Sequence, residues 1–345
     1  MSIIENLHVT NFKCFKQLDV KGLGQVNLIG GKNNVGKTAF LEAVELLVLP
    51  KKALDLTRSI YEILKRRQGE RKESKGVEID FFHQNSSEIR VRCDFKDCNI
   101  IKYESDISNA DIFSKDDNMD ELLPTEMLTM SVNNDKYSMP IDKFLKSSGL
   151  RYEMKLNASI FIPSSRVIER DIAVYFGQLT ELDKENYLNT SLAFVDSNIL
   201  ELKVVPTSSG VDLKLKLNNT DSLVLLSSLG EGINRYIAIL CAIWANKDGF
   251  LLIDEIENGI HYTNYPKLWE IIFKVSVEAN CQLFITTHSK ECITAFNDMQ
   301  FEVTGCHAQY FEFYNNLKTN LIVASPRDKE QLRYALTHEG RVRGE

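Results

Sequence analysis

Residues 30–38 read GGKNNVGKT, and within them Gly31, Gly36, Lys37 and Thr38 stand at the spacing GxxxxGK[ST]. Glycines at these places let the backbone turn through φ > 0, so that successive N–H groups can point at one centre. Lys37 brings a positive charge to that centre, and the helix that follows adds the partial charge of its first turn. The arrangement suits a polyphosphate, with Gly31, Asn33, Asn34, Val35, Gly36 and Lys37 around the phosphates and the Thr38 hydroxyl placed to meet Mg2+. An ordinary glycine-rich turn is the plainer alternative, and only the flanking elements separate the two.

Three other groups fit the same chemistry. Leu251-Leu252-Ile253-Asp254-Glu255 is an apolar run that delivers two carboxylates to one edge. In a parallel sheet that edge is where ligands bind, so Asp254 suits Mg2+ and Glu255 suits a general base acting on water. His288 follows the apolar run FITT directly, where a γ-phosphate would be sensed, although a lone histidine more often serves structure. Ser227-Ser228-Leu229-Gly230-Glu231-Gly232 precedes an apolar helix and forms a candidate second anion cradle. Taken alone, it would serve equally as a helix cap.

The elements that must position these residues follow from hydrophobic spacing. QVNLIGG reads as a buried strand entering the glycine-rich turn, and Thr38 to Leu49 as a helix with Phe40, Leu41, Val44 and Leu47 at helical spacing. GFLLIDE and QLFITTHS read as further buried strands, separated by a helix from Tyr265 to Val277 with Pro266 in its first turn. The run ASIFIPSSR is a short buried strand closed by Pro163. Strands alternating with helices predict a parallel sheet wrapped by helices. Before it, GVEIDFF, EIRVRCDF, NIIKYES and MLTMSV predict an antiparallel β unit, and ILELKVV with VDLKLKL a strand pair. Residues 51–76 hold nine Lys and Arg, among them Lys65, Arg66 and Arg67, and read as a solvated helix and loop.

Composition narrows the class. Lys plus Arg total 41 against 48 Asp plus Glu, a net charge of −7 that provides no overall footprint for nucleic acid. The seven cysteines are scattered, and Cys93 and Cys98 lack zinc-ligand spacing, so reduced thiols are expected. No apolar run approaches the roughly 20 residues of a membrane span, and the expectation is a soluble, cytoplasmic protein.

Taken together, NFKCFK at 11–16, IGGKNNVGKT, SLGEG, LLIDEIENGIH and ITTHS resemble, in that order, the motifs of the ABC-type ATPase superfamily. The resemblance lies within the branch of RecF, SMC proteins and the overcoming-lysogenization-defect (OLD) ATPases, and is greatest to stand-alone OLD-like ATPases of bacterial anti-phage systems such as the PARIS type. It implies an α/β ABC ATPase head: a mixed central sheet wrapped by helices, an antiparallel β subdomain, and a helical and strand insertion in the signature lobe. One discontinuous head over 1–345 is implied, with core segments 1–50, 77–165 and 225–300. The basic insertion would be 51–76, the signature-lobe insertion 166–224, and a C-terminal extension 301–345. ATP and Mg2+ are the implied ligands. By position, Lys13 would contact nucleotide phosphate, Ser228 and Gly230 would form the signature, and His288 would be the switch. Asn258 to His261 stand at the D-loop without its Asp, and Ser164 to Arg166 at the Q-loop without its Gln.

The resemblance also implies a homodimer or higher homo-oligomer joined through ATP sites, since each signature completes its partner's site. The gap between core and signature is too short for an SMC coiled coil, and the short stretch after His288 leads to the expectation of no fused nuclease domain. The expected role is therefore an ATP-driven switch controlling a separate effector protein in phage defence. The alternatives are a RecF-like DNA-binding ATPase, favoured by the basic segment, and a P-loop kinase or GTPase, disfavoured by the signature and the lack of a guanine-reading NKxD.

Overall fold

The continuously apolar runs become the central strands. A computed structural model describes residues 3–68, 81–84, 86–94, 96–106, 125–141, 144, 160–165, 167, 169–208 and 210–338. Its middle sheet contains β3 (Val26–Gly31), β8 (Phe161–Ile162), β12 (Phe250–Ile253), β13 (Gln282–Thr286), β14 (Ala308–Asn316) and β15 (Leu321–Arg327). The strand order is β15-β14-β3-β13-β12-β8. Every pairing is parallel except β14 with β15, which makes the sheet mixed.

Both faces of this sheet are covered, which is why its strands are apolar throughout rather than alternating. Val26, Leu28, Leu251, Ile253, Leu283 and Ile285 face one core, while Ile29, Leu252, Phe284, Phe311 and Phe313 face the other. On the second side lie α1 (Lys37–Val48) and α2 (Ala53–Gln68). Beyond them is an antiparallel sheet ordered β2-β1-β4-β5-β6-β7. Its strands are β1 (Asn6–Phe12), β2 (Phe15–Lys21), β4 (Glu88–Cys93), β5 (Lys96–Asp106), β6 (Thr125–Val132) and β7 (Asp135–Pro140).

On the first side, α5 (Glu231–Ala245), α6 (Tyr265–Glu278) and α7 (Lys290–Glu302) share a core with α3 (Glu169–Glu181), α4 (Glu185–Val195) and the sheet of β9 (Ile199–Thr207), β10 (Gly210–Leu217) and β11 (Val224–Leu225). A last helix, α8 (Lys329–Thr337), buries Leu332 and Ala335 in the same core. No helix among the described residues is long and apolar enough to cross a membrane.

One expectation is corrected here. Residues 53–68 do form a helix, but it is not solvated all round: Ala53, Leu56, Ile60 and Ile63 are buried against the antiparallel sheet and α1. The intervening basic residues mask this apolar spacing in the sequence. Arg66 and Arg67 are also bound, to Glu45 and Glu42 of α1. Residues 69–80, which take in most of GVEIDFF, and residues 107–124 lie outside the described residues, and Phe82 at the end of GVEIDFF forms an isolated bridge with Phe12.

Candidate functional site

The phosphate loop leaves the C-terminal end of β3 and enters α1 at Lys37. Asn34 and Gly36 adopt φ of 65° and 85°, the left-handed values that the loop's turn requires. At Gly36 a side chain would be excluded twice over, since a Cβ would also meet the Cys14 sulfur at 2.5 Å and the Phe15 ring at 2.7 Å. Lys37 is almost fully buried, and its Nζ donates to the carbonyls of Gly31 and Lys32 at 2.7 Å each. Burial lowers its pKa to about 8, against the pull of Glu255, Glu257 and Asp254.

The two acids arrive from β12. Burial pushes the Asp254 carboxyl above its ordinary range, while hydroxyls of Thr286 and Thr38 counter that shift. Thr38 Oγ1 lies 3.3 and 3.2 Å from the two Asp254 oxygens, and Thr286 Oγ1 donates to Oδ1 at 2.6 Å. A buried anion beside a hydroxyl forms a hard-oxygen pair suited to Mg2+, so the donor set fits that ion. Thr38 and Asp254 would hold it, and it would supply positive charge to the phosphate oxygens.

Glu255 turns its backbone to φ 48°, and its N–H donates to Thr286 Oγ1 at 2.9 Å. Its carboxylate is held on both oxygens, 3.2 Å from His288 Nε2 and 2.7 Å from the Asn258 amide nitrogen. The other imidazole nitrogen of His288, Nδ1, lies 3.2 Å from Lys37 Nζ. An ammonium group only donates, so Nδ1 accepts and the proton belongs on Nε2, facing Glu255. The main chain of His288 is fixed by Glu257, whose Oε1 accepts from the N–H of His288 at 2.5 Å and of Ser289 at 3.1 Å.

Lys37, Thr38, Glu255 and His288 line one cavity of about 470 Å3 together with Lys13, Cys14, Asn33, Asn34 and Arg67. Lys13 is thus brought to the cavity, but as part of an ion-pair cluster that sequence reasoning missed. Glu42 of α1, 1% exposed, accepts from Lys13 Nζ at 2.6 Å and from Arg67 Nε at 2.6 Å and Nη2 at 2.8 Å. Two cations against one carboxylate leave a positive excess facing the cavity, as a polyphosphate site requires. Nothing in the local sequence around Arg67 signals this, because its partner lies 25 residues earlier.

The remaining candidates lie apart from this cavity. Ser228 sits in a 3₁₀ turn, exposed, with its hydroxyl donating to the Leu225 carbonyl at 2.7 Å. Gly230, at φ 90°, begins α5. Behind them, the buried Arg235 donates from Nη1 to the carbonyls of Pro163 (2.5 Å) and Ser165 (3.2 Å), and from Nη2 to those of Asp254 (2.8 Å) and Glu255 (3.1 Å). Asn258 also donates to the Ser164 carbonyl at 3.0 Å. The segment expected at the Q-loop is therefore joined to the acids through its backbone; Arg166 lies outside the described residues.

A family model described as "AAA domain, putative AbiEii toxin, Type IV TA system" matches residues 26–293. A curated relative, the ATP/GTP phosphatase of Helicobacter pylori, is 24% identical over 340 residues, covering 88% of this chain and 90% of that protein. An uncharacterized protein of Methanocaldococcus jannaschii is 38% identical over 96 residues, which span 27% of this chain and 42% of its own length. Among solved structures, the head of an Smc protein from Pyrococcus furiosus with an extended coiled coil, bound to the C-terminal domain of ScpA, has a TM-score of 0.52. It is 12% identical and covers 98% of this chain and 100% of its own. A second Smc head, bound to the C-terminal winged-helix domain of ScpA, has a TM-score of 0.50 at 11% identity, covering 95% of this chain and 99% of its own. At such identities these structures show the fold alone, that of an ABC-type ATPase head. The chain belongs to the AAA-domain family of the putative AbiEii toxin type, and it is an ATPase.

Proposed function

We propose that this chain is a nucleotide-driven switch: one head binds Mg2+ and ATP, a second head completes the site, and hydrolysis separates them. The observation that carries this reading is the division of the candidate residues. Lys37, Thr38, Glu255 and His288 line one cavity, with Asp254 held against Thr38 beside it, whereas Ser228 is exposed and does not line it. A signature that cannot serve its own site is free to serve another's.

In the proposed reaction, Lys37 and the loop N–H groups bind the β- and γ-phosphates, and Lys13 and Arg67 add charge around them. Glu255 accepts a proton from a water whose oxygen attacks the γ-phosphorus. The bond from phosphorus to the β,γ-bridging oxygen breaks, and its electron pair leaves with ADP. His288, with its proton on Nε2, orients Glu255 and faces the transferred phosphate. Lys37 tracks its charge. Asn33, Asn34 and Val35 shape the loop, and the whole chain acts as one discontinuous head.

The switch would govern a separate effector, in the manner of stand-alone OLD-like ATPases of phage defence; the family's toxin description supports a paired-effector role. A DNA-clamping role would rest on the other basic residues of 51–76, because Arg66 and Arg67 are committed to buried carboxylates. Glu255→Gln is expected to lower ATP turnover at least about 100-fold while trapping a dimer or larger assembly on ATP. Lys37→Ala is expected to abolish binding and assembly. Turnover assays with size-exclusion chromatography and light scattering read both. Native turnover in Glu255→Gln would remove the base assignment, and a monomer with bound ATP would remove the switch.

A further inference from the structure

The turn after β12 contains a residue that the ATPase reading leaves without a task. Asn258 spends both hydrogens of its amide: one goes to Glu255 Oε2 at 2.7 Å, the other to the Ser164 carbonyl at 3.0 Å. Its backbone N–H donates to the Glu255 carbonyl at 3.1 Å, so the turn is closed through main chain and side chain together. Gly259, at φ 77°, then carries the chain against the start of α5, where a Cβ on Gly232 would meet the Gly259 carbonyl at 2.8 Å.

Three elements meet at this amide. Ser164 belongs to the loop after β8, and the same loop is held by Arg235 of α5 through Pro163 and Ser165. A small cavity of about 60 Å3 lies between Asn258, Ser164 and Arg235. Arg235 and Asn234, each 5% exposed, line it, and among the described residues neither Arg235 Nε nor Asn234 Oδ1 has a hydrogen-bond partner. A pocket this size, with a buried donor and acceptor still to be satisfied, leaves room for the contacts around Asn258 to rearrange.

We infer that Asn258 is a positioning residue for Glu255, and that it ties the carboxylate to the loop after β8 and thereby to the helix that begins at Gly230. With Oε1 against His288 and Oε2 against Asn258, the carboxylate has a contact on each oxygen that opposes its rotation. A shift of α5 or of the 163–165 loop on docking of a second head reaches Glu255 through this amide. The inference rests on the reading of Glu255 as the base.

A double-mutant cycle on the full chain tests it, comparing native protein with Glu255→Ala, Asn258→Ala and the double variant. Binding of a fluorescent ATP analogue and thermal melting are measured beside turnover. Asn258→Ala is expected to lower kcat about 10- to 30-fold with nucleotide affinity changed less than about threefold. In the Glu255→Ala background, the same change is expected to cost less than about twofold, since no carboxylate remains to be placed. Asn258→Asp keeps the shape but removes the donor, and should reproduce the loss if Asn258→Ala melts early. Native kcat in both Asn258 variants, or losses that multiply in the double variant, would overturn the inference. Native turnover in Glu255→Ala alone would instead show that the base had been misassigned.

Discussion

Lys37 sits where burial and chemistry oppose each other. An ammonium group taken out of water favours its neutral form, and the three surrounding carboxylates only partly restore it, which brings its pKa to about 8. A bound polyphosphate stabilises the charged form and moves the pKa back up. The sign follows: near pH 8 the empty site is part neutral and the filled site is charged, so binding takes up a proton. Calorimetry of ATP binding in EDTA, in two buffers of different ionisation enthalpy, should show at pH 8 an uptake about half a proton greater than in Lys37→Arg, and almost no such difference at pH 6.5, where the proton carried by the nucleotide itself is common to both proteins. Affinity should weaken toward tenfold per pH unit above that midpoint. Lys37→Arg, which keeps its charge throughout, should bind without this excess; equal uptake in both proteins would place the titrating group elsewhere. The neighbouring Cys14 lines the same cavity with its Sγ packed toward the phosphate loop, and burial pushes its thiol up.

At the scale of elements, α2 is the instructive case. Its buried residues recur at Ala53, Leu56, Ile60 and Ile63, yet Arg58 and Lys65 are exposed and Arg66 and Arg67 reach carboxylates of α1, so a reading by charge alone sees a solvated insertion. The two faces make opposite predictions. Ile60→Ala leaves a cavity between α2 and the antiparallel sheet and should cost about 2–5 kcal/mol. Arg58→Ala, on the exposed face, should change stability by less than about 0.5 kcal/mol. Denaturant unfolding measures both, and a tolerant Ile60 would restore the solvated reading. The same contrast explains what could be read from sequence. β3, β12 and β13 were legible because a strand buried on both faces is apolar at every position, and the loop between β3 and α1 because its spacing is local. Arg235 was not, since its four acceptors are main-chain carbonyls brought from 19 to 72 residues away. Main-chain carbonyls carry no side-chain identity. Glu42 with Arg67 was hidden for a related reason: a buried pair looks, in sequence, like two ordinary charges.

For the whole molecule, the decisive property is whether a site is complete within one chain. A head that uses only its own groups gives no function to an exposed Ser228, and a variant there should be silent. A head that lends its signature behaves differently when two defective chains are mixed. Lys37→Ala destroys the phosphate loop and leaves the signature; Ser228→Arg does the reverse, placing bulk and charge where a partner's phosphate would come. Each should be inactive alone, with turnover below about 5% of native. In a mixed dimer, one of the two sites combines the intact loop of one chain with the intact signature of the other. Only mixed dimers contain a good site, one of two in each, so turnover should recover to about a quarter of the native rate if pairing is random and to about half if neither variant pairs with itself. Recovery should grow with total protein concentration, because it requires association. A mixture that stays inactive while native protein forms ATP-dependent dimers would mean that both sites must fire together. Ser228→Arg that hydrolyses ATP at the native rate by itself would mean that the head needs no partner, and the composite site would fall.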